Sequence, residues 1–275
     1  MAPPAALETT LLPGARGLLA CHARELPQRD ELCGAFCGAL ALAAAGLERR
    51  GGEPLDQDAV AVAAGSVVSR HANTGVLPRG EHGRRDYRLP LALVDDPDIS
   101  GTTAGGLIDA LNELSDGRLA AIAYGGPWSP ETLGGLFELA AALEQPVTLI
   151  ANLATHHLWG SGASLEGMLD YLFDGELAGP APDWKVGHFA CVVARVRGPG
   201  GDLYAIADTY PSLGGAGVHM QPREHLAAAL ERPDMPAGGM IVVAAAEDAA
   251  GVRSGAAALG LREGAWDNGT RARGR

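Results

Sequence analysis

Residues 32–47 constrain the fold most strongly, because this stretch is apolar and contains neither a charged nor a β-branched residue. Alanine and leucine dominate it, and both favour a helix over a strand. The preceding segment 27–31, a proline and four polar residues, separates it from an earlier predicted helix over 14–25. Asp30 stands where a helix cap is expected. The pattern therefore predicts a helix whose first turn contains Cys33.

A hairpin is predicted in the last third of the chain. Residues 186–197 are rich in β-branched side chains, 198–201 form a Gly/Pro turn cluster, and 203–208 read as a second strand. His188 begins the first strand and Asp208 ends the second, nearly equidistant from the turn. Such positions lie at the same end of an antiparallel pair. The two side chains can therefore meet if they share a face of the sheet and no bulge intervenes.

The middle of the chain has a different pattern. Residues 101–175 alternate helical and apolar strand segments, which predicts an α/β subdomain with parallel strands at 118–124 and 146–153. Residues 70–101 are rich in Gly, Pro, Arg and Asp and are predicted to form a long loop with one short strand over 87–94.

Three segments carry residues suited to nucleophilic chemistry. Cys33 in the first turn of a helix experiences the positive end of the helix dipole, which lowers a thiol pKa. An imidazole such as His188 can stabilise the thiolate and move its proton, and a carboxylate such as Asp208 can fix the orientation of the ring. Gln28, shortly before the cysteine, can donate a hydrogen bond to a developing oxyanion.

Cys37 is the alternative nucleophile, because residues four apart share one side of a helix. It lies a full turn further along, where the effect of the helix terminus fades. Cys33 is therefore the preferred candidate. Each residue of the set also has a structural interpretation, since a single Cys in an apolar helix is often a small core residue and an Asp after a strand is often a turn residue.

The ordered motifs resemble papain-like cysteine peptidases, and most closely the C39-like peptidases that cleave double-glycine leaders. The resemblance rests on the Gln28-x4-Cys33-Gly34 segment, on Gly187-His188 before an apolar strand, and on a strand ending in Asp208. The Cys-Gly and Gly-His-Phe pattern is also similar to an uncharacterised actinobacterial-type family. The resemblance covers only these motif regions. It implies a Cys33 nucleophile, a His188 base, an orienting Asp208 and a Gln28 oxyanion donor.

By this resemblance the fold class is α+β, with an N-terminal nucleophile helix, a C-terminal antiparallel sheet and an α/β insertion. The expected organisation is one papain-like domain over residues 1–264, with the insertion at about 50–180, and a disordered tail over 265–275. The sequence departs from the family in three places. The spacing between Cys33 and His188 is long, no Trp follows the nucleophile as in papain, and Thr209 follows Asp208 where C39-like sequences often have Pro.

The resemblance implies a cysteine hydrolase that cleaves a peptide or amide bond through an acyl-enzyme. The same residues would also serve an acyltransferase in which an amine replaces water. A catalytically silent papain-like protein that binds a peptide is the alternative from another class. Trp128, Trp159 and Trp184 lie beside turn residues, where they could line a pocket or pack in the core.

Charge and composition limit the classes of partner that the protein is expected to bind. The net charge of −12 disfavours nucleic acid, which requires basic surfaces. No apolar run is long enough to span a membrane, and residues 1–16 do not resemble a secretory signal, so a cytoplasmic location with reduced cysteines is expected. No cofactor and no metal are expected. His156 and His157 are not expected to share a metal, because adjacent residues of a strand face opposite sides.

Overall fold

The fold is taken from a computed structural model that describes residues 6–271. Within this range the helices are α1 Ala15–Glu25, α2 Cys33–Ala44, α3 Gln57–Ala63, α4 Ala104–Leu114, α5 Pro130–Ala141, α6 Leu165–Asp174, α7 Arg223–Glu231 and α8 Ala249–Ala258. The strands are β1 Glu8–Leu11, β2 Arg49–Arg50, β3 Glu53–Pro54, β4 Val67–Ser69, β5 Ala92–Val94, β6 Leu119–Gly125, β7 Thr148–Ala154, β8 Gly187–Arg197, β9 Asp202–Ala207, β10 Val218–Pro222, β11 Gly239–Ala245 and β12 Arg262–Glu263.

A large antiparallel sheet forms the centre of the molecule. Its order is β10-β9-β8-β7-β11-β6-β12, and β1 adds to the second half of β8. All of these pairs are antiparallel. The prediction of a mixed chain of helices and a large antiparallel sheet is therefore confirmed.

Two groups of helices cover the sheet. In the first group α2 packs against β7 and β8, and its Cys37 contacts Cys191 of β8. Cys191 is paired with Ala207, three residues along β9 from Tyr204. Because side chains alternate along a strand, Tyr204 faces the opposite side, where its ring meets Phe137 of α5 at 5.4 Å. The sheet is thus sandwiched between α2 and α5.

The apolar stretch predicted as a helix is the buried element of this sandwich. From Gly34 to Leu42 every residue of α2 is buried, which explains why no polar face interrupts the sequence. Gly38 allows the close packing, since a Cβ there would lie 2.8 Å from side-chain atoms of both Leu107 and Val60. Helix α2 thus holds its first residue, Cys33, in a fixed position beside the first residues of β8.

A β-bulge at Val193 sets the register of the hairpin. Val192 pairs with Ile206 and Ala194 pairs with Ala205, so Val193 is an extra residue in β8. Continuing this register by one residue places Asp208 opposite Ala190, which shares a face with His188. Without the extra residue Asp208 would stand opposite Cys191 and face away from His188. The bulge is therefore what brings the two side chains to one face.

The two strands expected in residues 101–175, β6 and β7, run in the same direction, but they do not pair with each other. Strands β6 and β7 are not neighbours, because β11 lies between them and pairs antiparallel with both. Strand β11 supplies apolar residues for the gap between them, a long-range pairing that local patterns do not reveal. Part of the predicted insertion is consequently built into the same sheet that carries His188.

Local boundaries differ from the expectations as well. Helix α3 ends at Ala63, and the β-branched residues Val67 and Val68 that follow belong to β4, which pairs in parallel with the short strand β5. Within the expected disordered tail, the described residues are held in place. The Arg271 N–H donates to the Ile99 carbonyl at 2.8 Å, and the Thr270 hydroxyl donates to the Ser100 carbonyl at 3.2 Å. Residues 272–275 lie outside the described range.

Within residues 6–271, no helix combines the length and the apolar character that a membrane span requires.

Removal of the bulge should separate His188 from Asp208. In a variant lacking Val193, His188 and Asp208 should fall on opposite faces, and Cys33 should then react with iodoacetamide like an ordinary thiol. Val193→Ala keeps the extra residue, costs about 2 kcal/mol of stability through two lost methyl groups, and should keep wild-type reactivity. A deletion variant that is folded by circular dichroism and still reacts like the wild type contradicts the argument.

Candidate active site

Cys33 is the first residue of α2 and is partly exposed, whereas the residues after it are buried. Asp30 is not the cap of this helix, contrary to expectation. Its carboxylate instead accepts the Arg84 N–H at 2.7 Å, and Leu32 takes the cap position without a side-chain bond. The first N–H groups of α2 therefore lack a capping side chain, which leaves them available to a negative charge.

His188 lies directly beside this thiol. Its side chain is buried at 3% exposure, and its Nε2 lies 2.8 Å from Asp208 Oδ1. Since Nε2 is engaged with the carboxylate, Nδ1 is the ring nitrogen left for the hydrogen bond between His188 and Cys33. Cys33, His188 and Asp208 thus form a continuous chain of thiol, imidazole and carboxylate.

The electrostatics of the site favour an ion pair between Cys33 and His188. Burial raises the pKa of the Cys33 thiol, but the hydrogen bond and charge of His188 outweigh it, and the net pKa lies below the ordinary thiol value. The N–H groups of Phe189 and Gly34 act in the same direction. Burial lowers the pKa of His188, but Asp208 and Cys33 raise it to about 10. Both shifts act in the direction that favours a thiolate beside an imidazolium.

Asp208 has a second imidazole partner that the sequence analysis missed. His219 Nε2 lies 3.1 Å from Asp208 Oδ2. The orientation of His219 is fixed by Gln221, whose Oε1 accepts the Trp159 N–H and whose Nε2 donates to the Trp159 carbonyl and to His219 Nδ1. Since Nδ1 accepts, Nε2 carries the hydrogen that is donated to Asp208. No motif marks these residues, because β10 reaches Asp208 only through sheet pairing.

The backbone of Asp208 is anchored too. Its carbonyl accepts a hydrogen bond from Nε2 of the buried His22 at 2.6 Å, which ties helix α1 to the end of β9. Burial lowers the pKa of His22, so this ring is a neutral donor. Asp208 itself is buried, which raises the pKa of its carboxyl, but His188 and then His219 outweigh burial and hold the pKa below its usual range.

Gln28 is buried and is oriented by Thr209. The Thr209 hydroxyl donates to Gln28 Oε1 at 2.5 Å and lies 3.3 Å from His188 Nε2. The Gln28 N–H also donates to the Thr209 carbonyl at 2.9 Å. With Oε1 engaged, the amide Nε2 of Gln28 is the group that faces the cavity it shares with Cys33. Thr209, which departs from the family pattern, therefore positions the predicted oxyanion donor.

Aromatic rings cover the imidazole. The Trp184 ring meets His188 edge-on at 4.8 Å, and Tyr210 stacks beside His188 at 6.2 Å. Trp184 is held by a hydrogen bond from its Nε1 to the Val76 carbonyl at 2.8 Å. Both rings limit the access of water to the His188–Asp208 bond. Of the three tryptophans singled out by sequence, Trp184 lines the cavity that contains Cys33, Trp159 is mostly buried but lines a second cavity beside Asp208 and His219, and Trp128 is buried.

A cavity of about 350 Å³ opens in front of Cys33. Residues from distant parts of the chain form its walls, including residues 268–270 near the C-terminus. Gln28, Cys33 and His188 line it directly, and Asp208 stands behind His188. Cys37 is fully buried against Cys191, and burial raises its pKa well above the ordinary value. The structure therefore brings Gln28, Cys33, His188 and Asp208 together and leaves Cys37 outside the cavity.

One cluster in the described chain has ligand atoms spaced as in a metal site. His156 Nε2 and His157 Nε2 lie 2.8 and 3.3 Å from the two carboxylate oxygens of Asp234. The reason given above against a shared site is wrong, because the two histidines lie in a 3₁₀ turn after β7 and both face Asp234. The direct hydrogen bonds and the neighbouring Lys185 ammonium, 3.8 Å from Asp234, already satisfy this carboxylate.

The lowered thiol pKa predicts selective alkylation. Across about pH 5 to 9, Cys33 should react with iodoacetamide fastest, and its rate should remain high below about pH 7, because the thiolate is the reactive form. Cys21, whose pKa burial raises to about 11, should react slowly. His188→Ala should slow Cys33 below about pH 7, whereas His225→Ala, a histidine outside the cavity, should not. Mass spectrometry of each cysteine measures the rates, and equal rates in wild type and His188→Ala contradict the pairing.

The charge of the Asp208 carboxylate should determine the pKa of His188. In a Cys33→Ser background the pKa of His188 should stay above 6.5, because the carboxylate remains, and adding Asp208→Asn should lower it to 6.5 or less, because burial then dominates. NMR of labelled histidine measures both. Since folding raises this pKa, the pair stabilises the fold fully below about pH 6.5, and this contribution is lost as pH rises toward 10. A His188 pKa that does not respond to Asp208→Asn contradicts the assignment.

Comparison with known proteins places the chain in a family without assigning a reaction. No curated protein matches the sequence. Among solved structures, the digestive procathepsin L 3 of the Tenebrio molitor larval midgut overlaps 89% of this chain and 71% of its own length, at 12% sequence identity and a TM-score of 0.30. A similarity this loose contributes nothing to the assignment of residues. The sequence pattern of DUF6885, described as a family of unknown function, matches residues 12–267, and the chain belongs to that family.

Proposed function

We propose that this protein is a papain-like cysteine hydrolase that cleaves a peptide or amide bond. One observation carries the proposal. At the wall of a cavity of about 350 Å³, Cys33 at the start of a helix hydrogen-bonds to His188, and His188 Nε2 lies 2.8 Å from Asp208 Oδ1. The C39-like relationship within this superfamily rests on the Gln28, Cys33-Gly34 and Gly187-His188 motifs and is part of the same proposal.

The first half of the reaction follows from the ion pair. The Cys33 thiolate attacks the carbonyl carbon, a C–S bond forms, and the π electrons of the carbonyl move to its oxygen. When this tetrahedral species collapses, the C–N bond breaks and His188 gives its proton to the leaving nitrogen. The product is a thioester on Cys33 and a free amine. Asp208 and Thr209 hold the ring so that the same nitrogen faces the thiol and the leaving group.

The second half regenerates the thiol. His188, now neutral, removes a proton from water, and the resulting hydroxide attacks the thioester carbon. The C–S bond breaks, the carboxylic acid leaves, and the thiolate–imidazolium pair is restored. In both halves an oxyanion develops near the start of α2. The Gln28 amide and the Cys33 N–H, which as the first residue of the helix has no intrahelical acceptor, are the donors suited to it.

The hydrolase proposal is tested with a complex peptide mixture and mass spectrometry of the new termini. Wild type and Cys37→Ala, the matched cysteine control, should generate the same new termini, and Cys33→Ala should generate none. Adding a small primary amine distinguishes water from an amine as the acceptor, since an acyltransferase yields the amide. New termini that persist in Cys33→Ala contradict the proposal. No Cys33-dependent product together with a slow Cys33 favours the silent peptide-binding alternative.

Gln28 offers a sharper test of the oxyanion role. Gln28→Ala should lower the rate of the Cys33-dependent cleavage by about 10²-fold, because one donor to the oxyanion is lost. Alkylation of Cys33 by iodoacetamide should change little, because displacement of iodide creates no oxyanion at a carbonyl. Measuring the rates of cleavage and of alkylation on one preparation distinguishes an effect on the oxyanion from an effect on the thiol. An equal loss of cleavage and alkylation indicates that Gln28 acts only on the thiol.

A further inference from the structure

Arg232 occupies an unusual position at the end of α7. It caps the helix with φ +48°, in the left-handed region where glycine is favoured. A side chain other than that of glycine is disfavoured in this conformation. The arginine is nonetheless almost completely buried, at 3% exposure. Close packing accommodates it, since a Cβ on Gly238 would lie 2.3 Å from the Arg232 Cδ.

The charge of Arg232 is not compensated by a carboxylate. Among the described residues no acidic oxygen lies within salt-bridge distance of it. Its Nη1 donates to Asn152 Oδ1, an oxygen that also accepts from Trp266 Nε1 at 3.3 Å, and its buried Nε has no hydrogen-bond partner. A buried charge is costly unless an anion pairs with it. Within residues 6–271, the Cys33 thiolate and Asp234 act on Arg232 only through their charge, and no anion is hydrogen-bonded to the guanidinium.

The guanidinium faces the cavity in front of Cys33. Arg232 and Asn152 both line that cavity together with Cys33 and His188. A Cβ built on Gly187 would lie 2.8 Å from Arg232 Nη2, so the guanidinium lies against the residue immediately before the imidazole. The absence of a side chain at Gly187 leaves this nitrogen open to the cavity.

The acidic residues at the cavity wall do not neutralise Arg232. Asp30, Glu31 and Asp98 line the same cavity. Asp30 accepts the Arg84 N–H and Glu31 accepts the Ser69 N–H. Arg232 is the only lysine or arginine among the cavity-lining residues that the structure describes. The region beside Gly187 is therefore where an anionic group of a bound molecule would be attracted.

We propose that Arg232 forms a subsite for a carboxylate of the substrate, close to the scissile carbonyl. This inference rests on the proposed hydrolase function and names its substrate class, a peptide or amide that carries a free carboxylate within about one residue of the bond that is cleaved. The planar guanidinium suits a carboxylate, because two N–H groups can donate to its two oxygens. Asn152 holds the guanidinium in place through Nη1, while Nη2, beside Gly187, supplies the N–H groups for the carboxylate.

The test uses two alkylating reagents that differ only in charge, iodoacetylglycine and its amide, iodoacetylglycinamide. For Cys33 of the wild type, the ratio of the two rates should exceed the ratio for N-acetylcysteine amide by about tenfold, the effect of one charge-assisted hydrogen-bond pair. Arg232→Gln should lower this ratio to that of the free thiol. Lys185→Gln, which removes a nearby positive charge that does not line the cavity, should leave the ratio unchanged.

Each outcome separates this inference from the function on which it rests. Slow alkylation of Cys33 by both reagents contradicts the hydrolase proposal itself. Fast alkylation with the ratio of the free thiol, or a high ratio that survives Arg232→Gln, overturns only the carboxylate subsite. If Arg232→Gln does not fold, N-acetylglycine should protect wild-type Cys33 from iodoacetamide better than N-acetylglycinamide does. Equal protection by the two compounds overturns the subsite as well.

Discussion

The buried carboxylate of Asp208 is the interaction on which the rest of the site depends. Transferring a carboxylate out of water costs several kcal/mol unless hydrogen bonds and opposite charges offset it. Here His188 and His219 bind its two oxygens, and the Thr209 N–H donates to Oδ1 at 2.6 Å. These partners join three strands, and His22 adds helix α1 through the backbone carbonyl. Asp208 therefore fixes the positions of His188, of Thr209 and, through its backbone carbonyl, of helix α1.

The start of α2 lacks a stabilising interaction that most helices have. An N-cap side chain typically contributes about 1 kcal/mol, yet α2 has none. Asp30, the residue suited to this role, binds the Arg84 N–H instead. The uncapped N–H groups then act on the Cys33 sulfur and remain open to an oxyanion. The buried apolar face of α2 supplies the stability that the missing cap does not.

The net charge of the chain does not describe the charges beside Gly187 in the cavity. A net charge of −12 describes the surface as a whole and disfavours nucleic acid. Inside the cavity, however, the cations are His188 and the unpaired Arg232, and both lie on the same wall beside Gly187. Global composition therefore says little about which group a buried site prefers, because the local field depends on a few desolvated residues.

The sequence by itself determined the elements that local patterns encode. The composition of residues 32–47 required a helix with Cys33 in its first turn, and the β-branched run around His188 required a strand. Only the tertiary structure decided which of these residues meet. The bulge at Val193 sets the face of Asp208, β11 enters between β6 and β7, and β10 brings His219 to the carboxylate. These features depend on pairings between distant segments, whose free energy comes from burial that no local window of sequence contains.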